Sequence, residues 1–121
     1  MSRGVPEREA PLDPRGTAVL VIDVQKGIYN AAAASAHPHF HLTATETVIP
    51  NIARLLAAAG AARSEVAFTV IQSLNHDGRD RSLDYKATGF HFAPGSREAE
   101  VCDEVAPGPT TWCCRRRPRA S

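Results

Sequence analysis

The chain has little of what would commit it to a membrane, a secretory route or a disulfide framework. No stretch approaches the roughly 18 consecutive apolar residues of a membrane span, and Met1 to Asp13 carries no apolar run behind basic residues. Neither a span nor a signal peptide is therefore expected, and the expected compartment is cytoplasmic. Cysteine is scarce. Of the three, Cys113 and Cys114 are adjacent and Cys102 stands apart, a poor disulfide set that matches no zinc-ligand spacing. Net charge is nearly absent as well: +1 overall gives no global reason to expect nucleic acid, a membrane surface or an acidic substrate.

The charge that exists is concentrated at one end. Four of the last seven residues are arginine (Arg115, Arg116, Arg117 and Arg119), so the rest of the chain is slightly acidic. The arginine run has no aromatic interleaving, so no nucleic acid is expected as a partner despite its capacity to neutralise phosphates. With 43% hydrophobic and 22% charged residues over 121 positions, the composition is that of one soluble globular domain.

Three segments follow from the pattern along the chain. Residues 1–16 hold three prolines and mixed charges and read as a flexible N-terminal arm. Residues 17–109 form the body. There Ala18 to Ile22 is a continuous apolar run rich in β-branched residues, which suits a strand buried on both faces of a parallel sheet. Asn30 to Thr45, rich in alanine and histidine, reads as an irregular loop. From Glu46 to Ala62, Val48, Ile49, Ile52, Leu55, Leu56 and Ala59 recur at helical spacing, with Pro50 tolerated in the first turn. Val66 to Ser73 is a second strand. Strand, helix, strand predicts a right-handed βαβ unit. Asn75 to Ser96 is polar and glycine-punctuated, in the manner of a long functional loop, and Arg97 to Cys102 predicts a short helix. Residues 110–121 read as a basic tail outside the domain, expected to be disordered.

In a parallel α/β sheet ligands collect beyond the carboxyl ends of the strands, and Asp23 stands at such an end. A carboxylate there suits a general base, a metal ligand or a phosphoryl acceptor; as a purely structural group it would cap the following turn. The phosphoryl-acceptor chemistry of haloacid-dehalogenase-like proteins wants a second acid two positions on, where this chain has Gln25. The HPHFH stretch puts His37, His39 and His41 on alternate positions, a pattern that presents metal ligands in an extended chain and is otherwise a solvated loop. No metal is expected.

VLVIDVQKG (Val19 to Gly27), followed by Tyr29, resembles the opening of the isochorismatase-like cysteine hydrolases. NIARLLAAA, VAFTVIQSL, DGRDRSLDYKATGFH and DEVAPGP continue the likeness in order and spacing, from about Thr17 to Pro109. The resemblance implies a three-layer α/β/α fold with a parallel sheet, of which this chain would hold the N-terminal portion. It also implies a triad of aspartate, lysine and cysteine hydrolysing an amide or related bond, a small-molecule substrate, no cofactor, and possible homo-oligomers. A thiol needs a nearby base and a cation to exist as a thiolate near neutral pH. Asp23 maps onto the triad. Gln25, Tyr29, Asn75 and Tyr85 are the expected substrate-binding residues, with Phe90, His91 and Phe92 as further candidates for a pocket wall or for a small hydrophobic cluster within the loop.

The family lysine and cysteine have no match. The lysine should follow DEVAPGP by about a strand's length, where this chain reads TTWCCRRRPRAS; Lys86 lies too early. The genetic code offers an explanation. Read one base earlier, the Trp112-Cys113 junction must encode valine and the Cys113-Cys114 junction leucine, while Cys114-Arg115 permits proline and Arg115-Arg116 lysine. A frame slip near Pro109 is thus expected, leaving a truncated and inactive hydrolase, with a non-enzymatic binding module built from the half-fold as the alternative.

Overall fold

The computed structural model describes residues 11–108 and the backbone of residues 112–116. Three strands, β1 (Ala18–Ile22), β2 (Glu65–Ile71) and β3 (Trp112–Arg116), form one parallel sheet in the order β1-β2-β3. The apolar run of β1 is a strand over the expected residues. It ends at Asp23, whose φ of 56° is left-handed; aspartate tolerates that conformation better than most residues, and it turns the chain out of the sheet.

The segment expected to be an irregular loop is instead helical. Ala31–Ala36 (α1) is capped by Asn30, whose side chain accepts from the Ala33 N–H, and Pro38–Thr43 (α2) begins with proline in its first turn. A π-helical turn, Ala44–Val48, then leads into α3 (Ile49–Ala62). The asparagine cap and the alanine run are local helix signals that the histidines obscured. Because His37, His39 and His41 sit at the start of and along α2, they are not aligned as on an extended chain, and no group of potential metal ligands converges among the described residues. The helix predicted for Arg97 to Cys102 is a series of turns.

The expectation of a disordered tail from residue 110 also fails over residues 112–116. Ala67 pairs with Trp112 and the register continues to Ile71 with Arg116. The edge of β2 would otherwise be a row of unpaired N–H and C=O groups, and Trp-Cys-Cys is compatible with a strand; the arginines masked that signal. Residues 1–10, 109–111 and 117–121 of the expected arm and tail lie outside the described residues.

One face of the sheet carries the core. Val21, Val24, Ile49, Phe68, Cys102 and Val105 are buried together, with Val19, Ile52, Leu56 and Val66 packed against them. The helical spacing of α3 thus delivers its apolar stripe onto the Val19-Val21 and Val66-Phe68 rows. Phe68 is 2% exposed. Truncating it to alanine removes contacts at the centre of the cluster, a loss of about 3–5 kcal/mol.

Gln25 fixes how β1 leaves the sheet. It is fully buried, its amide nitrogen donates to the carbonyls of Ile71 and Ala99 at 2.9 Å each, and its amide oxygen accepts from the Ile71 N–H at 2.8 Å. Its backbone forms an isolated antiparallel bridge with Val101. One side chain therefore holds the end of β1 to the end of β2 and to the loop ahead of β3. Gln25→Ala takes the side-chain partner from one buried and two part-buried backbone groups, and we expect a loss of about 2–4 kcal/mol. Gln25→Glu, which faces a carboxylate towards two carbonyls, should be at least as damaging. Urea denaturation of both variants checks this; a midpoint unchanged from wild type would show that the bonds are replaceable by water.

Candidate functional site

The carboxyl ends of β1 and β2 carry the candidate site. The strained turn at Asp23 places its carboxylate within reach of β2, where Oδ1 accepts from Thr69 Oγ1 at 3.0 Å. The Asp23 N–H donates to the Thr69 carbonyl at 3.0 Å, so both backbone and side chain are tied to the same residue. By register, Asp23 stands one step beyond the Ile22-Thr69 pair, level with Val70, which pairs in turn with Arg115.

A few residues beyond Asp23 the chain lines a cavity of about 220 Å³, bounded by Lys26, Tyr29, Asn30, Thr45, Cys102 and Asp103 among others. Tyr29 stacks on Phe40 with ring centroids 5.8 Å apart, and its carbonyl lies 3.3 Å from His41 Nε2, so α2 braces the cavity wall. Burial raises the Tyr29 hydroxyl above the ordinary phenol range, with smaller contributions from Cys102 and Asp23. Those contributions place the phenol, the thiol and the carboxylate in one electrostatic neighbourhood.

Lys26 and Cys102 bring to this cavity the two residue types that the triad lacked, yet their arrangement opposes a thiolate. Cys102 is 4% exposed, and burial pushes its thiol up; Glu104 and Asp103 push the same way and Lys26 alone opposes them among the named charges. Lys26 is committed elsewhere, with Nζ at 2.6 Å from Glu100 and 3.0 Å from Asp103. Its hydrogen bonds to those carboxylates raise its pKa. Burial and these carboxylates favour the protonated thiol, and the nearby ammonium is already paired. Neither residue was legible as part of this site, because Cys102 reaches it only through the β-bridge at Val101 and the hydrogen bond from its N–H to the Val24 carbonyl.

The other expected substrate-binding residues do not gather here. Gln25, expected on the pocket wall, is enclosed and its amide is spent on backbone groups. Asn75 lies in the loop after β2, where Asp80 accepts from the Leu74 and Asn75 N–H groups and from the Asn75 side chain. Those bonds lower the Asp80 pKa, the one from Leu74 most. Asn75 borders a separate surface hollow with His76, Asp77 and Arg79. Tyr85, on α4 (Leu83–Thr88), packs at a tilt against Phe90 with ring centroids 4.8 Å apart, and Phe90 likewise against Phe92 at 4.5 Å. These rings pack on one another within the loop. Phe92 of that cluster rests over Gly27, where any Cβ would collide with its ring.

Comparison with known proteins agrees with this architecture. The isochorismatase domain family model matches residues 17–121. No curated protein matches the chain significantly. Among solved structures, a cysteine hydrolase from Pseudomonas syringae pv. phaseolicola superposes with a TM-score of 0.68 at 24% identity, covering 88% of this chain and 49% of that one. N-carbamoylsarcosine amidase from Thermoplasma acidophilum gives 0.61 at 18% identity, covering 83% and 51%. An isochorismatase family protein from Desulfovibrio vulgaris gives 0.61 at 24%, covering 82% and 51%. The chain thus spans about half the length of these structures, and its fold is the corresponding incomplete α/β unit. No described helix is long and apolar enough to cross a membrane.

Two outcomes follow from the electrostatics. Cys102 should react with iodoacetamide at least about tenfold more slowly in the native protein than in urea, read on its own peptide by mass spectrometry; equal rates would mean that the thiol is open and ionised. The Asp80 cap should be present above the ordinary carboxylate range and lost as pH falls through its lowered native pKa, because protonation removes the acceptor. A fall at acid pH in the protection of the Leu74 and Asn75 amides, corrected for the pH dependence of intrinsic exchange and absent in Asp80→Asn, which has no carboxylate to titrate, checks the sign.

Proposed function

The chain belongs to the isochorismatase family, and on that premise we propose that it carries the aspartate arm of a hydrolase that cleaves an amide or related carbon–nitrogen bond of a small molecule. Asp23 is its general base. The observation that carries this reading is the position of Asp23: a left-handed turn at the carboxyl end of β1, with the carboxylate oriented by the Thr69 hydroxyl. A base so held is in place to take a proton from an incoming thiol. Tyr29 forms the adjoining wall, while the loop of residues 75–96 contributes to substrate choice from further away.

Within these 121 residues the rest of the triad has no counterpart, and the protein by itself is inactive. Cys102 is the wrong thiol for the reason of charge given above. The family match and β3 both run through the tail in this reading frame, which supports the sequence as written over a frame slip. The row that closes β3 then carries Arg115 and Arg116 where the resemblance leads one to look for lysine.

A triad works as a unit, so loss of the nucleophile removes nearly all of the rate. The purified 121-residue protein should show no turnover of simple amides, N-carbamoyl compounds or nicotinamide above buffer, and Asp23→Asn should be indistinguishable from it. Turnover that Asp23→Asn abolishes would overturn the assignment of inactivity while supporting that of the base.

A further inference from the structure

We propose that the carboxyl end of β2 carries a second binding site, in which the Gln72 side chain recognises the amide edge of a small neutral molecule, a lactam or carboxamide that offers one N–H and one C=O side by side. A cavity of about 290 Å³ opens there, lined by Val70, Gln72, Ser96, Ala99 and Val101 among others. Gly95 stands in its wall with nothing within 4 Å of the place a Cβ would occupy, so the wall is open at that point. Side chains alternate along a strand. The Thr69 hydroxyl bonds Asp23, whereas Val70 and Gln72 line this cavity, so the two sites lie on opposite faces of β2.

The state of Gln72 is what marks the cavity as a site. The residue is 8% exposed, yet its side chain makes no hydrogen bond among the described residues. A carboxamide carries two N–H donors and an accepting oxygen, and enclosing it without partners costs free energy that a ligand would return. Gln25, equally enclosed, spends its own amide on Ile71 and Ala99. Gln72 is also fixed on either side. The Ile71 N–H donates to Gln25, and the Ser73 N–H donates to the Phe92 carbonyl at 2.9 Å. A ligand that meets this amide therefore does so without first ordering the backbone beneath it.

The rest of the wall selects the ligand's chemistry. Val70 and Ala99 are buried apolar residues, and Val101 lies beside them. Ser96 Oγ accepts from the Ala99 N–H at 3.3 Å, while its own proton has no acceptor among the described residues and is free to be donated. The charged residue of the described wall is Glu100, whose carboxylate Lys26 already holds at 2.6 Å. A carboxylate or phosphate would find no free cation among these residues. A neutral group that both donates and accepts fits them: its N–H to the Gln72 oxygen, and its C=O to the Gln72 N–H, with the Ser96 hydroxyl as a further donor.

This site stands apart from the role given to Asp23, so its test is read by binding and not by turnover. δ-Valerolactam, a ring amide with N–H and C=O on one edge, is titrated into the 121-residue protein and followed by NMR. We expect saturable shifts of the Gln72 side-chain amide and of the Ser96 and Val101 backbone amides. N-Methyl-δ-valerolactam and δ-valerolactone, which both lack the N–H, should bind at least about tenfold more weakly, the worth of one hydrogen bond to an enclosed amide. Gln72→Leu should weaken δ-valerolactam by a similar factor and keep the parent's cooperative melt, whereas Asp23→Asn should bind as the parent does. The comparison of the three ligands needs only the parent protein and decides the matter even where Gln72→Leu does not fold. Equal affinity for all three, or shifts that do not saturate, would mean a cavity that holds water only; either result overturns the proposal, as does loss of δ-valerolactam binding in Asp23→Asn.

Discussion

A single buried amide sets the geometry from which the rest of this structure follows. By bonding both the N–H and the C=O of Ile71 and the carbonyl of Ala99, Gln25 joins three segments far apart in sequence at one point. It fixes where β1 stops relative to β2, and hence the row on which Asp23 stands. It also holds the turns of residues 96–101 against the end of the sheet, which is what encloses Cys102. Such a tie is effective because it is complete: a carbonyl or N–H left without a partner at full burial would cost more than the bond contributes.

The same enclosure explains why the two ends of the candidate site differ. Asp23 keeps partial access to solvent and a hydroxyl donor from Thr69, conditions that hold a carboxylate in one orientation. Cys102, a short distance along the fold, is desolvated and faced by Glu104 and Asp103, conditions that hold a thiol protonated. Residue type alone would have assembled aspartate, lysine and cysteine into a triad here. Charge and burial separate them, and the lysine is neutralised by two surface carboxylates worth little to stability but enough to occupy it.

The parts of the fold legible in the sequence were those governed by local pattern. β1 is an unbroken apolar run, and α3 repeats its apolar stripe with proline where a helix accepts it, so both were readable and with them the placement of Asp23. What escaped depended on distant partners or on competing signals. Gln25 reads as a polar residue near a site until Ile71 and Ala99 are seen to consume it. Tyr85, Phe90 and Phe92 suit a pocket and a cluster equally well on paper, and their contacts with one another depend on the fold of the whole loop. The strand at Trp112–Arg116 was hidden because arginines dominate its composition, whereas the open side of β2, a feature of the sheet and not of the segment, determines that it pairs.

In the frame in which it is written, this sequence folds as a three-stranded parallel sheet with Asp23 at its carboxyl edge. Native-state amide exchange along β2 tests it most directly. The Thr69 backbone faces β1, so Phe68 and Val70 must donate across the other side, to β3. Protection is expected at Ala67, Phe68, Thr69 and Val70 alike, as in a central strand. Protection that alternates, with Ala67 and Thr69 slow but Phe68 and Val70 fast, would mean that β2 is an edge, that residues 112–116 do not pair, and that the tail stands outside the fold.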